Sequence, residues 1–145
     1  MNENIKSVLQ INHFVFDELS FKRKGFRQPD ADELPLEVET TVRKRGVNDY
    51  LVSLTVTVSK ENEFDASVRI TGYCEIDDDT PNLEIILREN APAILYPYAR
   101  AEMTLLTSQP ETSPVVLPVI NMHEMMRDSK STTATDSAKA EENLH

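Results

Sequence analysis

From Phe64 to Ile76 the chain alternates without a break: Phe64, Ala66, Val68, Ile70, Gly72, Cys74 and Ile76 fall on one side, and Asp65, Ser67, Arg69, Thr71, Tyr73 and Glu75 on the other. A period of two sustained over that length excludes a helix, whose faces repeat every ~3.6 residues, and specifies a strand with one apolar face. Two neighbours share the pattern. Tyr50, Val52, Leu54, Val56 and Val58 oppose Leu51, Ser53, Thr55 and Thr57, while Leu36, Val38, Thr40 and Val42 oppose Glu37, Glu39, Thr41 and Arg43. The connections from Arg45 to Asp49 and from Lys60 to Glu63 are too short for a parallel crossover. The strands are therefore hairpins of an antiparallel meander of three or four strands, packed on one face and largely wet on the other.

Upstream, Val8 to Lys24 carries apolar residues at mixed spacing. Counted in twos from Leu9, one face reads Ile11, His13, Val15, Asp17, Leu19 and Phe21, a strand period interrupted by polar positions, which predicts a bulged or edge strand. Gly25 to Pro35 reads as a loop. Downstream, the pattern changes at Asp77-Asp78-Asp79. Thr80 followed by Pro81 predicts a helix start, cap then first-turn proline, with Leu83, Ile86 and Leu87 on one face. Pro92 opens a second helix to about Thr107, with Ile94, Leu95, Tyr98, Ala99, Met103 and Leu106 at helical spacing and Pro97 placed to kink it or delay its start. Pro110, Pro114 and Pro118 then keep Val115, Val116, Leu117, Val119 and Ile120 extended, because neither a helix nor a central strand absorbs that proline spacing. Asn121 with Glu124 has the form of a capping box, which starts a last helix at Met122 carrying Met125 and Met126. Residues 129–145 lack aromatic and β-branched aliphatic side chains and are expected to form a disordered tail behind one domain of residues 1–128.

Fifteen Lys and Arg against twenty-five Asp and Glu give a formal charge of -10, which repels phosphate backbones and anionic headgroups alike. Nucleic acid and membrane surfaces are not expected partners. No stretch approaches the roughly 18 apolar residues of a membrane span, and the N-terminus has no apolar core of a signal peptide. One cysteine, Cys74, leaves no intrachain disulfide framework, the pattern of a reducing, cytoplasmic compartment. The chain has no dinucleotide, P-loop, zinc-protease, nucleophile-elbow or EF-hand motif. His13, His123 and His145 are scattered, and neighbouring His123 and Glu124 diverge on a helix, so no metal site is expected. Cys74 reads as an inert core thiol and the Asp77–Asp79 run as a solvated strand end. No enzyme activity and no cofactor follow from this inventory.

What stands out is the proline-held apolar strap and the methionines after it. It fits two roles: closing over the sheet to complete the core, or lining a groove for extended peptide, with methionine as an adaptable surface and a free strand edge supplying hydrogen bonds.

The stretch Ala91-Pro92-Ala93-Ile94-Leu95-Tyr96-Pro97-Tyr98-Ala99-Arg100, followed by Val116-Leu117-Pro118-Val119-Ile120-Asn121-Met122, resembles the SecB family of bacterial export chaperones, as does Phe14-Val15-Phe16-Asp17-Glu18-Leu19-Ser20-Phe21 near the N-terminus. The resemblance spans about residues 8–128. It implies an α+β fold, a four-stranded antiparallel sheet with helices packed on one face. It implies holding of unfolded or extended polypeptide without ATP, in grooves lined by the crossover, with Val115, Leu117, Val119 and Met122 as contacts and Phe26 as a further aromatic in a loop. It also implies a homodimer or homotetramer, with Ile94, Leu95, Tyr98, Met103 and Leu106 at the oligomer interface. Met122 stands where the family usually has Phe, and Gln109-Pro110-Glu111-Thr112 replaces its glycine-phenylalanine pair. The tail is only mildly acidic, which makes docking onto the SecA motor doubtful. Relatives also serve toxin–antitoxin systems, so the alternative is a non-enzymatic binding or regulatory protein that uses the fold for one specific folded partner.

Overall fold

The computed structural model describes residues 9–30 and 33–128. Four strands form one antiparallel sheet: β1 (Gln10–Arg23), β2 (Leu36–Gly46), β3 (Asp49–Lys60) and β4 (Phe64–Glu75). Their order is β1-β4-β3-β2, so β2, β3 and β4 make the meander and β1 flanks β4 at the far edge. The expected tail lies outside the described residues.

The alternation of β3 and β4 translates directly into burial. Val52, Leu54, Val56, Val58, Phe64, Val68 and Ile70 form a dry inner face. On the outer face, Ser53 and Thr71 share a hydrogen bond of 2.7 Å and Thr71 donates to Asp17 Oδ2 at 2.8 Å, so the wet side is stitched by hydroxyls. The tight turns use asparagine in the left-handed region, Asn48 at φ 57° and Asn62 at φ 62°, a conformation that short polar side chains tolerate.

β1 departs from the simple count in twos. Its pairing with β4 slips between Ile11 and His13 and again between Phe16 and Glu18. Each bulge turns the following side chains to the other face. As a result Phe14 and Phe16 lie opposite Gly72 and Ile70 on the inner face with Ile11, Leu19 and Phe21, whereas His13 and Val15 lie opposite Tyr73 and Thr71 on the outer face. The predicted one-face set is corrected accordingly: the bulges let the aromatic residues reach the core.

The helical segment also starts later than expected. Thr80 and Pro81 form a turn, and the helix begins at Leu83 behind Asn82, whose φ of 61° bars it from continuing a helix backwards. One turn at Leu83–Ile85 runs into a π-helical stretch, Ile86–Asn90, and then into α1 (Ala91–Leu106). Pro92 explains the wide turn. It has no N–H to offer the carbonyl four residues before it, and the Ala91 N–H instead bonds the Ile86 carbonyl in the five-residue pattern. Pro97 lies inside α1, which stays helical to Leu106. α1 packs across β4, β3 and β1. Where the helix lies over the sheet, a Cβ on Gly72 would sit 3.2 Å from Leu95 Cδ2, so a larger residue there would push the Leu95 side chain back by a few tenths of an ångström. The chain returns over the sheet as an extended strap and ends in α2 (Met122–Asp128), capped as expected by Asn121 Oδ1 on the Glu124 N–H.

Candidate functional site

The strap from Ser113 to Pro118 runs beside α1 without joining the sheet. Its backbone is held by a stripe of side chains one turn apart on α1: Tyr96 Oη donates to the Pro118 carbonyl at 2.7 Å, Arg100 Nε to Leu117 at 2.6 Å and Thr104 Oγ1 to Val115 at 2.8 Å. Thr107 Oγ1 accepts the Val115 N–H at 2.8 Å. Burial pushes the Tyr96 hydroxyl up from its ordinary pKa, against the pull of Arg100, and keeps it a neutral donor. These residues carry the strap yet were not singled out from the sequence. The signal available was their spacing, polar groups at helical intervals next to the apolar stripe Leu95, Ala99 and Met103.

Held this way, the strap alternates. Leu117 is 2% exposed and inserts into the core with Met122, while Val116 is 69% and Val119 86% exposed. Between the strap and the start of β2 lies a groove of about 650 Å³, lined by Leu34, Leu36 and its ladder partner Val58, by the strap residues Ser113 to Pro118, and by the charged side chains Asp30, Glu33 and Lys60. β2 is an edge strand, and no further strand among the described residues pairs with its outer side.

Phe26 is 90% exposed on the loop after β1. That loop crosses the β3–β4 turn because β1 ends beside β4 and β2 starts beside β3, at Arg23↔Phe64 and Leu36↔Val58. Arg23 fastens it to the strap, donating to the carbonyls of Pro110 and Glu111 and to Thr112 Oγ1, and Arg27 donates to Ser113 Oγ at 2.7 Å.

The expected peptide contacts therefore divide. Val119 and Phe26 are on the surface and Val115 is half-buried in the groove wall, whereas Leu117 lies at the base of the groove, nearly buried, and Met122 packs into the core. The expected interface set divides for a similar reason. Leu95 and Met103 point into the sheet and Leu106 is half-buried, whereas Ile94 and Tyr98 are exposed together with Leu105, at 66%, about two helical turns past Tyr98 on the outward stripe. Residues three or four apart share a face of a helix, so Leu95, Ala99 and Met103 make the inward stripe and Ile94, Tyr98 and Leu105 the outward one, and apolar spacing alone does not separate the two.

Among the described residues no three His, Cys, Asp or Glu side chains group to hold a metal, and no helix is long and apolar enough to cross a membrane. Burial pushes the Cys74 thiol up to about 11, with Asp49 adding to it. His13 stacks on Tyr73 at 4.2 Å, and His123 Nδ1 contacts Glu89.

The profile of the preprotein translocase subunit SecB matches residues 2–133. An uncharacterized protein of Methanocaldococcus jannaschii is 25% identical, over 94% of each chain. The protein-export protein SecB of Azoarcus sp. is 27% identical, covering 90% of this chain and 93% of its own, and that of Legionella pneumophila is 28% identical over 92% and 91%. The fold is shared with a solved SecB-like chaperone of Mycobacterium tuberculosis, in complex with a ChAD peptide from the HigA1 antitoxin, at a TM-score of 0.66 and 18% identity over 81% of this chain and 95% of that one.

Proposed function

The chain belongs to the SecB family, and from that premise we propose that it is a non-enzymatic, ATP-independent holding chaperone that takes unfolded or extended polypeptide into the groove between β2 and the strap. The observation that carries this reading is the exposure of Val116 on the strap wall of the groove, with Val119 exposed just past that wall and Phe26 exposed on the loop that Arg27 ties to Ser113. Apolar side chains held outward on a fixed backbone lose little entropy on binding and take up alternate side chains of an extended chain with little sequence preference. The free side of β2 adds main-chain partners for such a chain. Ile94, Tyr98 and Leu105 form an apolar helix face suited to a second copy, in a homodimer or homotetramer.

A second reading has one specific observation behind it: a solved relative of the same fold carries an antitoxin peptide. On that reading the groove serves a single partner segment. One experiment separates the two. The protein is added without ATP to a chemically denatured, slowly folding client, with the native client as control, and co-purification from native lysate runs in parallel. Suppressed aggregation, weak binding of the native client and many co-purified clients support holding. One stoichiometric partner and no suppression support the specific reading. The double variant Val116→Ser, Val119→Ser should lose most of the holding while keeping its far-ultraviolet spectrum and oligomer size; undiminished holding would place the groove elsewhere.

A further inference from the structure

Glu63 is a carboxylate with no exposed surface, buried in the turn between β3 and β4. Removing a charge from water is costly unless it is paired and hydrogen-bonded. Here its Oε1 accepts the Gln28 N–H at 2.7 Å and meets Lys60 Nζ at 3.0 Å, while Oε2 has no hydrogen-bond partner. Its own carbonyl accepts the N–H groups of Lys24 at 2.7 Å and Gly25 at 3.2 Å. Lys60, itself nearly buried, donates to the Gln28 carbonyl at 3.2 Å. The loop presses so closely on this turn that a Cβ at Gly25 would lie 2.3 Å from the Asn62 carbonyl oxygen. All of these contacts converge on residues 24–28, whose crest is Phe26, a side chain that is itself 90% exposed. An exposed aromatic contributes nothing to folding by burial, so the order of its loop comes from the polar contacts beneath it.

We propose that Glu63 is a positioning residue for the client-binding surface: with Lys60 it holds the 24–28 loop against the β3–β4 turn, so that Phe26 is presented on the loop that Arg27 ties to the strap before a client arrives. The inference rests on the holding function proposed above and goes beyond it in naming what pre-organises the Phe26 loop.

The chain has no tryptophan, so Phe26→Trp provides a single reporter at the crest. In that background, Glu63→Leu removes the acceptor and the charge, while Glu63→Gln keeps an acceptor for the Gln28 N–H. Indole anisotropy and acrylamide quenching read the loop, and the dissociation constant for reduced, carboxymethylated lactalbumin reads binding. Glu63→Leu is expected to lower the anisotropy, raise quenching and weaken binding by about tenfold, with Glu63→Gln within about twofold of the parent, since pre-organisation is what is lost. Ile70→Ala, which opens a cavity far from the loop, should reduce stability and move neither reading. If Glu63→Leu does not fold, Gly25→Ala replaces it, because the added methyl pushes the loop off Asn62. Unchanged anisotropy in the releasing variant overturns the inference, as does unchanged affinity once the loop is released. If the Phe26→Trp parent does not bind the probe at all, the holding function falls and this inference with it. Parent binding matched by Glu63→Leu removes the inference alone.

Discussion

In the β3–β4 hairpin the ladder takes up the backbone N–H and C=O groups, and every second side chain is pressed into a dry face. In the strap the same kind of apolar, extended sequence has no ladder, and its carbonyls are met by the hydroxyls and guanidinium of α1. One consequence is a difference in what the outward side chains can do. The outward positions of the hairpin are mostly polar, and the apolar one, Leu51, is itself buried, whereas Val116 and Val119 stand exposed on a backbone that side chains hold in place. Anchoring by side chains thus leaves an apolar edge available that a sheet would have consumed.

The sharpest way to test that contrast is to open a cavity on each side of it. Ile70→Ala should cost roughly 2–5 kcal/mol, near the upper end because the rigid sheet cannot collapse onto the gap. Leu117→Ala should fall nearer about 2 kcal/mol, because the strap is free to follow the lost volume. Urea midpoints at constant m-value give both numbers, and equal losses would mean that the strap is as rigid as the hairpin. Next in size is the anchor itself. Tyr96→Phe removes the donor to Pro118 and should cost about 1 kcal/mol, with faster amide exchange in the strap and no change in β3 or β4. Exchange that stays slow in the strap would show that the polar stripe is not what holds it.

A smaller effect separates the hairpin's own end. Asp78 accepts from Tyr50 Oη at 2.6 Å and pairs with Lys44 Nζ at 2.8 Å, and these two bonds, the Lys44 one first, hold its carboxyl below the usual range against a modest burial penalty. A carboxyl lowered by folding contributes stability that is in full force above the unfolded value of about 3.9 and disappears as pH falls through the folded value. The stability gap between the parent and Asp78→Asn should therefore be open at pH 7 and close in acid; a gap that is the same at both would sever Asp78 from the hairpin's stability. The smallest effect is chemical. Cys74, buried in the inner face and raised to about 11, should react with iodoacetamide at neutral pH only on global unfolding, so its labelling rate should rise about fivefold in Tyr96→Phe, in step with the ~1 kcal/mol lost there, and a much larger rise would mean that the hairpin opens locally.

Much of this architecture was legible before any coordinates. β2, β3 and β4, the edge strand, the Met122 helix with its asparagine cap and the extended strap all follow from periodicity, proline and caps, which are local properties of the chain. The polar half of the site was not legible in the same way. Lys60 and Glu63 share one turn in the sequence, but nothing in a linear reading brings Gln28 to them, because that meeting depends on β1 pairing with β4 and the loop then crossing the β3–β4 turn to reach β2.

The chain's own order of residues determined that a one-faced antiparallel sheet would form, because alternation makes burial of one face the only way to remove those side chains from water. It also determined that the segment from Pro110 to Ile120 would be extended. Which of its side chains would turn inward was decided by tertiary structure alone. Tyr96, Arg100, Thr104 and Thr107 set the strap's rotation by the carbonyls and the N–H they bind, and that rotation buries Leu117 and leaves Val116 and Val119 outside. The two bulges of β1 were decided the same way. Local sequence there permits either face, and contact with the core selected the register that brings Phe14 and Phe16 inside.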